Sequence, residues 1–523
     1  MRILRAPSIA LLLSLAIVAT VPGSASGDER HGHGGLDLDA ATIPHLQSLM
    51  DHGRLSSVRL TKAYLARIRA LDGKLHSVLT VDPTAVGQAA ASDRRRARGH
   101  SLGPLDGIPV LLKDNIDAKK LRTTVGSRAL LDMPPVKDAT LVRRLRAAGA
   151  VILGKTNLSE WANFRSTNAT SGWSGAGGQT NNPYVLDRNP CGSSSGSGAA
   201  VAASLAQVAI GTETDGSIVC PAGNNGVVGH KPSLGLVSRT GVAPISAEQD
   251  TAGPMARHVV DAAITLSVLQ GRDRTDPATG EYPADQPTDY ARLLRPGALR
   301  GARIGVFRQA GIDAEVDRVV EDAVATLRAR GATVVDVDLP YREEFAAAEL
   351  PALITEFARD LPAYLANRPG VPQTLAELVE FNRQDPVELS LFGQELFEQA
   401  LVAPGPDDPE YLMQRATATS LARRSIDETL AAHDLDAIMS PTNGPAWVTT
   451  YGNGDAGFEL ESSGPAAVAG YPNVAVPAGY AGELPIGVSF FAGRWQDASV
   501  LAYAAAYEAA NPARQAPRFL PST

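Results

Sequence analysis

The sequence predicts an α/β layer fold, and three observations carry that expectation. Short apolar runs alternate with amphipathic helical stretches along most of the chain, which is how strands and helices stacked in layers are written in a sequence. Hydrophobic residues make up 44% of the 523, enough to bury a large core. No long polar linker interrupts the alternation. Length alone would suggest domains of about 150 residues each, but without a break one large domain over 45–515 is expected.

The elements follow in order. Arg2 and Arg5, the mostly apolar stretch Ile9–Val21 and the small residues Gly23–Ser26 read as a secretory signal over 1–26. It is too short and wrongly flanked for a stable membrane span. Residues 27–44 read as a flexible segment. An alanine-rich helix then carries Arg94, Arg95, Arg96 and Arg98 beside Asp93, a solvated helix face rather than a nucleic-acid patch. Ile108–Leu112 is apolar throughout, as in a strand buried on both faces, and Lys113 stands at its end. A helix over Leu141–Ala148 leads into a strand at Val151–Leu153. A Gly/Ser run precedes an alanine-rich helix over Ala199–Ala206 and a strand at Val208–Ile210. Asp276–Gly301, rich in Pro, Asp and Arg, is expected to cross the surface. Strands at Ile304–Phe307 and Val334–Val337 follow. Arg342–Leu430 is helical without strands, a cap over the sheet and a source of substrate selectivity. Strands at Ala437–Met439, Val474–Val476 and Ile486–Phe491 close the domain. Beyond the signal, no segment is apolar for the 18 residues a spanning helix needs.

Several motifs compete for the chemistry. Gly149–Thr156 satisfies the P-loop pattern letter by letter, yet its four middle residues are apolar and read as a strand, not as a glycine-rich phosphate loop. Gly192-Ser193-Ser194-Ser195-Gly196 matches a nucleophile elbow centred on Ser194. An elbow sits on a strand end, and the preceding Asn181–Pro190 is turn-rich with two prolines. His31 and His33 lie in a Gly-rich tail and His230 and His258 are isolated, so no metal set is expected. Three stretches remain: Gly107–Asn115 with its apolar run into Lys113, the Gly/Ser run Gly192–Gly198, and Glu213–Val219. A lysine can take a proton from a hydroxyl only while its amine is neutral, which burial favours. Glycines let backbone approach a reacting centre closely.

In this order the three stretches resemble the amidase signature family, and the resemblance covers nearly the whole chain after the signal. Gly154–Arg165, Gly178–Thr180, Gly226–Gly229 and Gln249–Arg257 look most like the bacterial peptide-amidase branch. Cys191 and Asp215 stand where glycine is usual in the wider family, and Val219 where arginine is usual; the branch shares these departures. The resemblance implies one large mixed β-sheet covered by helices on both faces. It also implies roles. The nucleophile lies 24 positions after the first serine of the run, so Ser217 attacks, Ser193 bridges and Lys113 is the base. Backbone N–H groups of the turn Thr214, Asp215, Gly216 and Ser217 would hold the oxyanion. No cofactor and no metal are implied. The expected substrate is a small-molecule or peptide amide, with C-terminal peptide amides the first choice and aryl, fatty or small aliphatic amides the alternative. Trp173, Trp447 and the cap are candidates for an acyl-side wall, as well as for plain packing. An amidotransferase A-type subunit shares the signature, but export argues against it. Retention of all three residues argues against a non-catalytic binding protein.

Cys191 and Cys220 are the only cysteines, and both flank the implied site. In an exported chain a disulfide is conceivable. Two small packing residues are expected instead, because a crosslink there would restrict loops that adjust to substrate. The net charge of −8, and −10 without Arg2 and Arg5, disfavours nucleic acid. A secreted or envelope monomer is expected.

Overall fold

A computed structural model describes residues 36–523, apart from 457–458. The expected secretory signal and residues 27–35 therefore lie outside the described residues; in the remainder of the segment expected to be flexible, Ala41 and Ile43 are buried and Ile43 opens the first helix. The sheet is built from strands β1 (Val78–Val81), β2 (Pro109–Lys113), β3 (Val151–Thr156), β6 (Val208–Glu213), β7 (Val228–Lys231), β8 (Thr251–Ala256), β9 (Arg303–Val306), β10 (Thr333–Asp336), β11 (Ala437–Pro441), β12 (Asn473–Ala481) and β13 (Leu484–Phe491). A separate pair, β4 (Trp173–Ser174) and β5 (Gly178–Gln179), lies outside it. The order across the eleven strands is β1-β3-β2-β6-β8-β7-β12-β13-β11-β9-β10. β3, β2 and β6 run parallel, as do β11, β9 and β10, while the middle of the sheet is antiparallel. The sheet is thus mixed, and Asp37–Thr523 form one unit around it.

Each apolar run expected to be a strand is one, and β2, β3 and β6 are buried at every position. β1, a short Val-Leu-Thr-Val run, is absent from the expected strands, and β7 (Val-Gly-His-Lys) and β8 (Thr-Ala-Gly-Pro-Met-Ala) have no apolar run to announce them. Glycine serves β3 directly. A Cβ at Gly154 would stand 2.0 Å from the carbonyl oxygen of Thr80 on β1, so only glycine lets the two strands approach.

Helices cover the sheet. α1 (Ile43–Asp51), α2 (Ser57–Leu75), α3 (Ala85–Ala97), α4 (Thr140–Ala147), α5 (Ser195–Ala202), α6 (Val219–Asn224) and α7 (Val259–Leu269) belong to the first half. α8 (Ala314–Ala329), α9 (Arg342–Leu365), α10 (Leu375–Gln384), α11 (Glu395–Leu401), α12 (Pro409–His433), α13 (Ser463–Ala469) and α14 (Asp497–Ala510) belong to the second. α9 to α12 form the strandless segment expected as a cap. A shared apolar cluster joins it to the first half: Trp161 and Phe164 pack with Phe357, Leu361, Leu378 and Phe397. Phe164 and Phe357 are 5.0 Å apart at their centroids and Trp161 meets Phe397 edge-on at 5.7 Å, geometries aromatic rings favour. On α3, Arg95 pairs with Asp106 and Arg96 with Asp51, so the arginine cluster is partly engaged within the chain.

The cysteine expectation is corrected. Cys191 and Cys220 are disulfide-bonded, with their Cα atoms 5.9 Å apart. The two segments they join are buried and hydrogen-bonded to each other, Ser194 N donating to Ser217 O at 3.1 Å. They are not adjustable loops, so a crosslink takes no needed freedom from them.

Candidate active site

Because β3, β2 and β6 are parallel, their C-terminal ends share one edge of the sheet, where ligands of α/β folds gather. Lys113 closes β2 there and Thr212 nearly closes β6. The Lys113 amine is fully buried and lies 2.7 Å from Ser193 Oγ, 2.9 Å from Thr212 Oγ1 and 3.1 Å from Thr212 O. Asn115 Nδ2 donates to the same Thr212 Oγ1 at 2.9 Å. Ser193 Oγ stands 2.9 Å from Ser217 Oγ. The three side chains implied by the resemblance therefore form one continuous hydrogen-bonded chain.

Burial pushes the Lys113 amine down to about 7, although Asp250 and Glu213 pull the other way. As an ammonium, it donates to Ser193 and to both oxygens of Thr212. As a neutral amine it keeps two N–H groups for Thr212, and its lone pair is left facing Ser193. Hydroxyl protons rotate, so the chain can then run the other way, Ser217 donating to Ser193 and Ser193 to Lys113. That arrangement can move a proton from Ser217 to the amine and back.

The turn after β6 presents the backbone. Gly216 has φ +74°, a left-handed conformation that glycine alone adopts freely. The Glu213 carboxylate accepts from Ile218 N at 2.7 Å and Val219 N at 3.0 Å, and it draws the Gly216 N–H as well. Of the four N–H groups expected to face an oxyanion, those of Thr214, Asp215 and Ser217 donate to nothing among the described residues. Gly216 is the one directed elsewhere. Gly192 is glycine for want of room, since a Cβ would meet Ser159 Oγ at 2.2 Å.

Sequence reasoning missed the surroundings. Thr214 Oγ1 donates to Asp250 Oδ1 at 2.5 Å, and burial raises that carboxyl to about 6. Gln249 Nε2 donates to Thr214 O at 3.0 Å and to Glu349 of α9 at 2.5 Å, while Arg415 of α12 donates to Gln249 Oε1 at 3.1 Å. The cap is thus tied to the turn through one amide. Burial, then repulsion from Glu349 and Glu461, holds the Asp215 carboxyl well above the usual carboxylate range. A shift in that direction favours the uncharged form, which opposes a negative charge forming beside it less than a carboxylate would. The only advance signal for Gln249 and Asp250 was their place in the Gln249–Arg257 stretch. Glu349 and Glu461 sit in segments without any motif.

The competing readings fall elsewhere. Lys155 lies within β3, bonded to Ile116 O at 2.7 Å and paired with Asp114 at 3.0 Å, which is no phosphate cradle. Ser194 stands at the start of α5, its hydroxyl donating to Thr212 O at 3.0 Å. His230 faces Asp497 and His258 faces Glu508, at separate places. Trp173 is buried and packs edge-on against Phe392 at 5.1 Å. Trp447 is half-buried, and its carbonyl accepts from Asn189 N at 2.8 Å.

Comparison with known proteins identifies the family. The Amidase family model matches residues 59–501. The crystal structure of native peptide amidase from Stenotrophomonas maltophilia superposes with a TM-score of 0.89 at 49% identity, covering 92% of this chain and 99% of that one. A probable amidase of Arabidopsis thaliana is 38% identical over 98% of this chain and 97% of its own length. The A-type subunit of the glutamyl-tRNA(Gln) amidotransferase of Roseiflexus castenholzii is 37% identical over 89% of this chain and 95% of its own. With its fold, its buried lysine and its serine pair, this chain belongs to the amidase signature family and is a hydrolase of carbon–nitrogen bonds in amides.

Proposed function

We propose that the protein is a secreted amidase that converts C-terminal amides of peptides to the free acid and ammonia through an acyl-enzyme. The observation that carries the mechanism is the unbroken chain Lys113 Nζ, Ser193 Oγ, Ser217 Oγ at 2.7 and 2.9 Å. Ser217 Oγ bonds to the carboxamide carbon while its proton passes to Ser193 and the Ser193 proton to neutral Lys113. The carbonyl oxygen, now negative, takes N–H groups of the turn. Lys113 and Ser193 return a proton to nitrogen, the C–N bond breaks and ammonia leaves. Water then attacks the ester carbon, giving its proton through Ser193 to Lys113; the C–Oγ bond breaks as that proton returns to Ser217, and the free acid departs.

Likeness to the Stenotrophomonas maltophilia peptide amidase supports the substrate class. Selection would be steric: a pocket with room for only –NH₂ beyond the scissile carbon excludes a continuing chain. The basic, apolar and small-residue order of 1–26 supports export. The test offers one peptide as its C-terminal amide, its methyl ester and its extended form, and follows ammonia and fragments by mass. Amide and ester should turn over while the extended peptide survives. Ready cleavage of the extended form, or turnover of aryl or fatty amides with none of peptide amides, would place the chain in another branch.

A further inference from the structure

The disulfide lies where it can act on chemistry. Cys191 stands two residues before Ser193, and Cys220 three residues after Ser217. The two half-cystines therefore bracket the hydroxyl pair whose separation of 2.9 Å decides whether a proton can pass. Ser193 has other anchors: its carbonyl accepts from Ser159 N at 3.1 Å, and its hydroxyl meets Lys113, which Thr212 holds. Ser217 has fewer. Its turn is in no strand or helix, and the N–H groups of Thr214, Asp215 and Ser217 donate to no group among the described residues. Donors left free for an oxyanion cannot also secure the backbone that carries them. A hydrogen bond between two neutral hydroxyls is a weak tie. The turn is held before Ser217 by Asp250 and Gln249 at Thr214, and after it by Glu213 clamping Ile218 and Val219, by Cys220 N donating to Gly216 O at 2.8 Å, and by the covalent bond from Cys220 back to the Ser193 segment, its only covalent crosslink to Ser193's side.

We propose that the Cys191–Cys220 disulfide is a positioning device for the serine pair, setting the Ser193–Ser217 distance and so the rate of acylation, beyond any contribution to fold stability. The inference rests on the Ser-Ser-Lys reading. A misplacement of reacting groups by about 1 Å can lower rates by about 10²-fold. Loss of the bond should therefore lower kcat about 10- to 100-fold and leave KM within about twofold, because the acyl-side contacts are not touched.

The experiment uses the Cys191→Ala/Cys220→Ala double variant and, separately, wild-type protein treated with a water-soluble phosphine until mass tagging of thiols shows the buried bond fully reduced, the phosphine becoming its oxide with oxygen from water as the disulfide becomes two thiols. The readings are kcat and KM on a carboxamide, the rate at which a fluorophosphonate labels Ser217, and the far-UV spectrum with thermal unfolding. Slower labelling and lower kcat at an unchanged spectrum, restored when the reduced wild type is reoxidised, support the proposal. Unchanged kcat with a lowered Tm would make the bond a staple of the fold alone, and a raised KM at constant kcat would assign it to substrate binding; either overturns the proposal. If the double variant does not fold, the phosphine-treated protein decides, and activity lost only together with the spectrum also overturns it. Failure of the underlying mechanism is separate, since Ser217→Ala would then still be labelled.

Discussion

Lys113 and Ser217 make opposite demands on their surroundings, and each can be tested alone. Lys113 needs dryness to stay neutral, whereas Ser217, 8% exposed, must meet substrate. Ser217→Ala should abolish acyl-enzyme formation, and a serine-directed reagent should mark the wild type at Ser217 only; peptide mapping that finds the label on Ser194 would revive the elbow. Lys113→Ala should lose about 10³-fold or more in kcat, and Lys113→Arg should not restore it, because a guanidinium does not release its proton. The pH profile has a definite sign. With the amine pushed down to about 7 by burial, activity should fall as pH drops through about 7 and Lys113 becomes charged; an acidic optimum would exclude a neutral-lysine base. At this scale the serine pair is legible only through the family resemblance, which implies Ser193 and Ser217 24 positions apart, and the two hydroxyls meet at 2.9 Å. It misleads at Cys191 and Cys220. Whether two thiols meet depends on how rigidly the intervening α5 and β6 bring their ends together, and nothing local encodes that.

At the scale of elements, apolar runs reveal some strands and their absence hides others. β2, β3 and β6 are buried at every position, and each opens on an apolar run before its polar C-terminal residues, which is what makes them visible. β8 carries Gly253 and Pro254 yet is a six-residue strand between β6 and β7, because long-range pairing overrides local preference. The alanine-rich helix, expected from Ala199, begins at Ser195. Its Ser/Gly turn is a helix start in tight contact rather than a loop, a Cβ on Gly196 falling 2.4 Å from Ser77 O. The cap is legible as a long helical stretch without strands. Its attachment to the site through Gln249 is not, since a single amide between Thr214 and Glu349 leaves no pattern. The apolar seam beneath the cap gives a prediction. Phe357 is 1% exposed and packs on both Phe164 and Phe397, so Phe357→Ala should lower stability by about 3–5 kcal/mol, read from denaturant unfolding. If the cap selects the acyl group, kcat/KM on peptide amides should fall further than fluorophosphonate labelling does; equal losses would mean that the cap has no part in selection.

For the whole molecule, compartment is the open matter that one measurement resolves. Protein recovered from medium or envelope should have a mass that places its first residue near Ala25 or Ser26; full-length protein found only in the cytoplasm would favour an amidotransferase role. The sheet itself carries a further consequence. β1 to β3 with β6 to β8 form one run of strands and β9 to β13 another, and the two meet only where β7 pairs with β12, at Gly229 to Lys231 against Ala475 to Asn473. A ribosome finishes β7 long before it begins β12. During that interval the earlier half has a bare strand edge, with no partner yet synthesised. Bare edges recruit strands from other chains, so a polypeptide ending in the Asp276–Gly301 connection should associate through β7, whereas the later half supplied in trans should compete for that edge. The order in which this chain is made thus leaves its central seam open until β12 emerges.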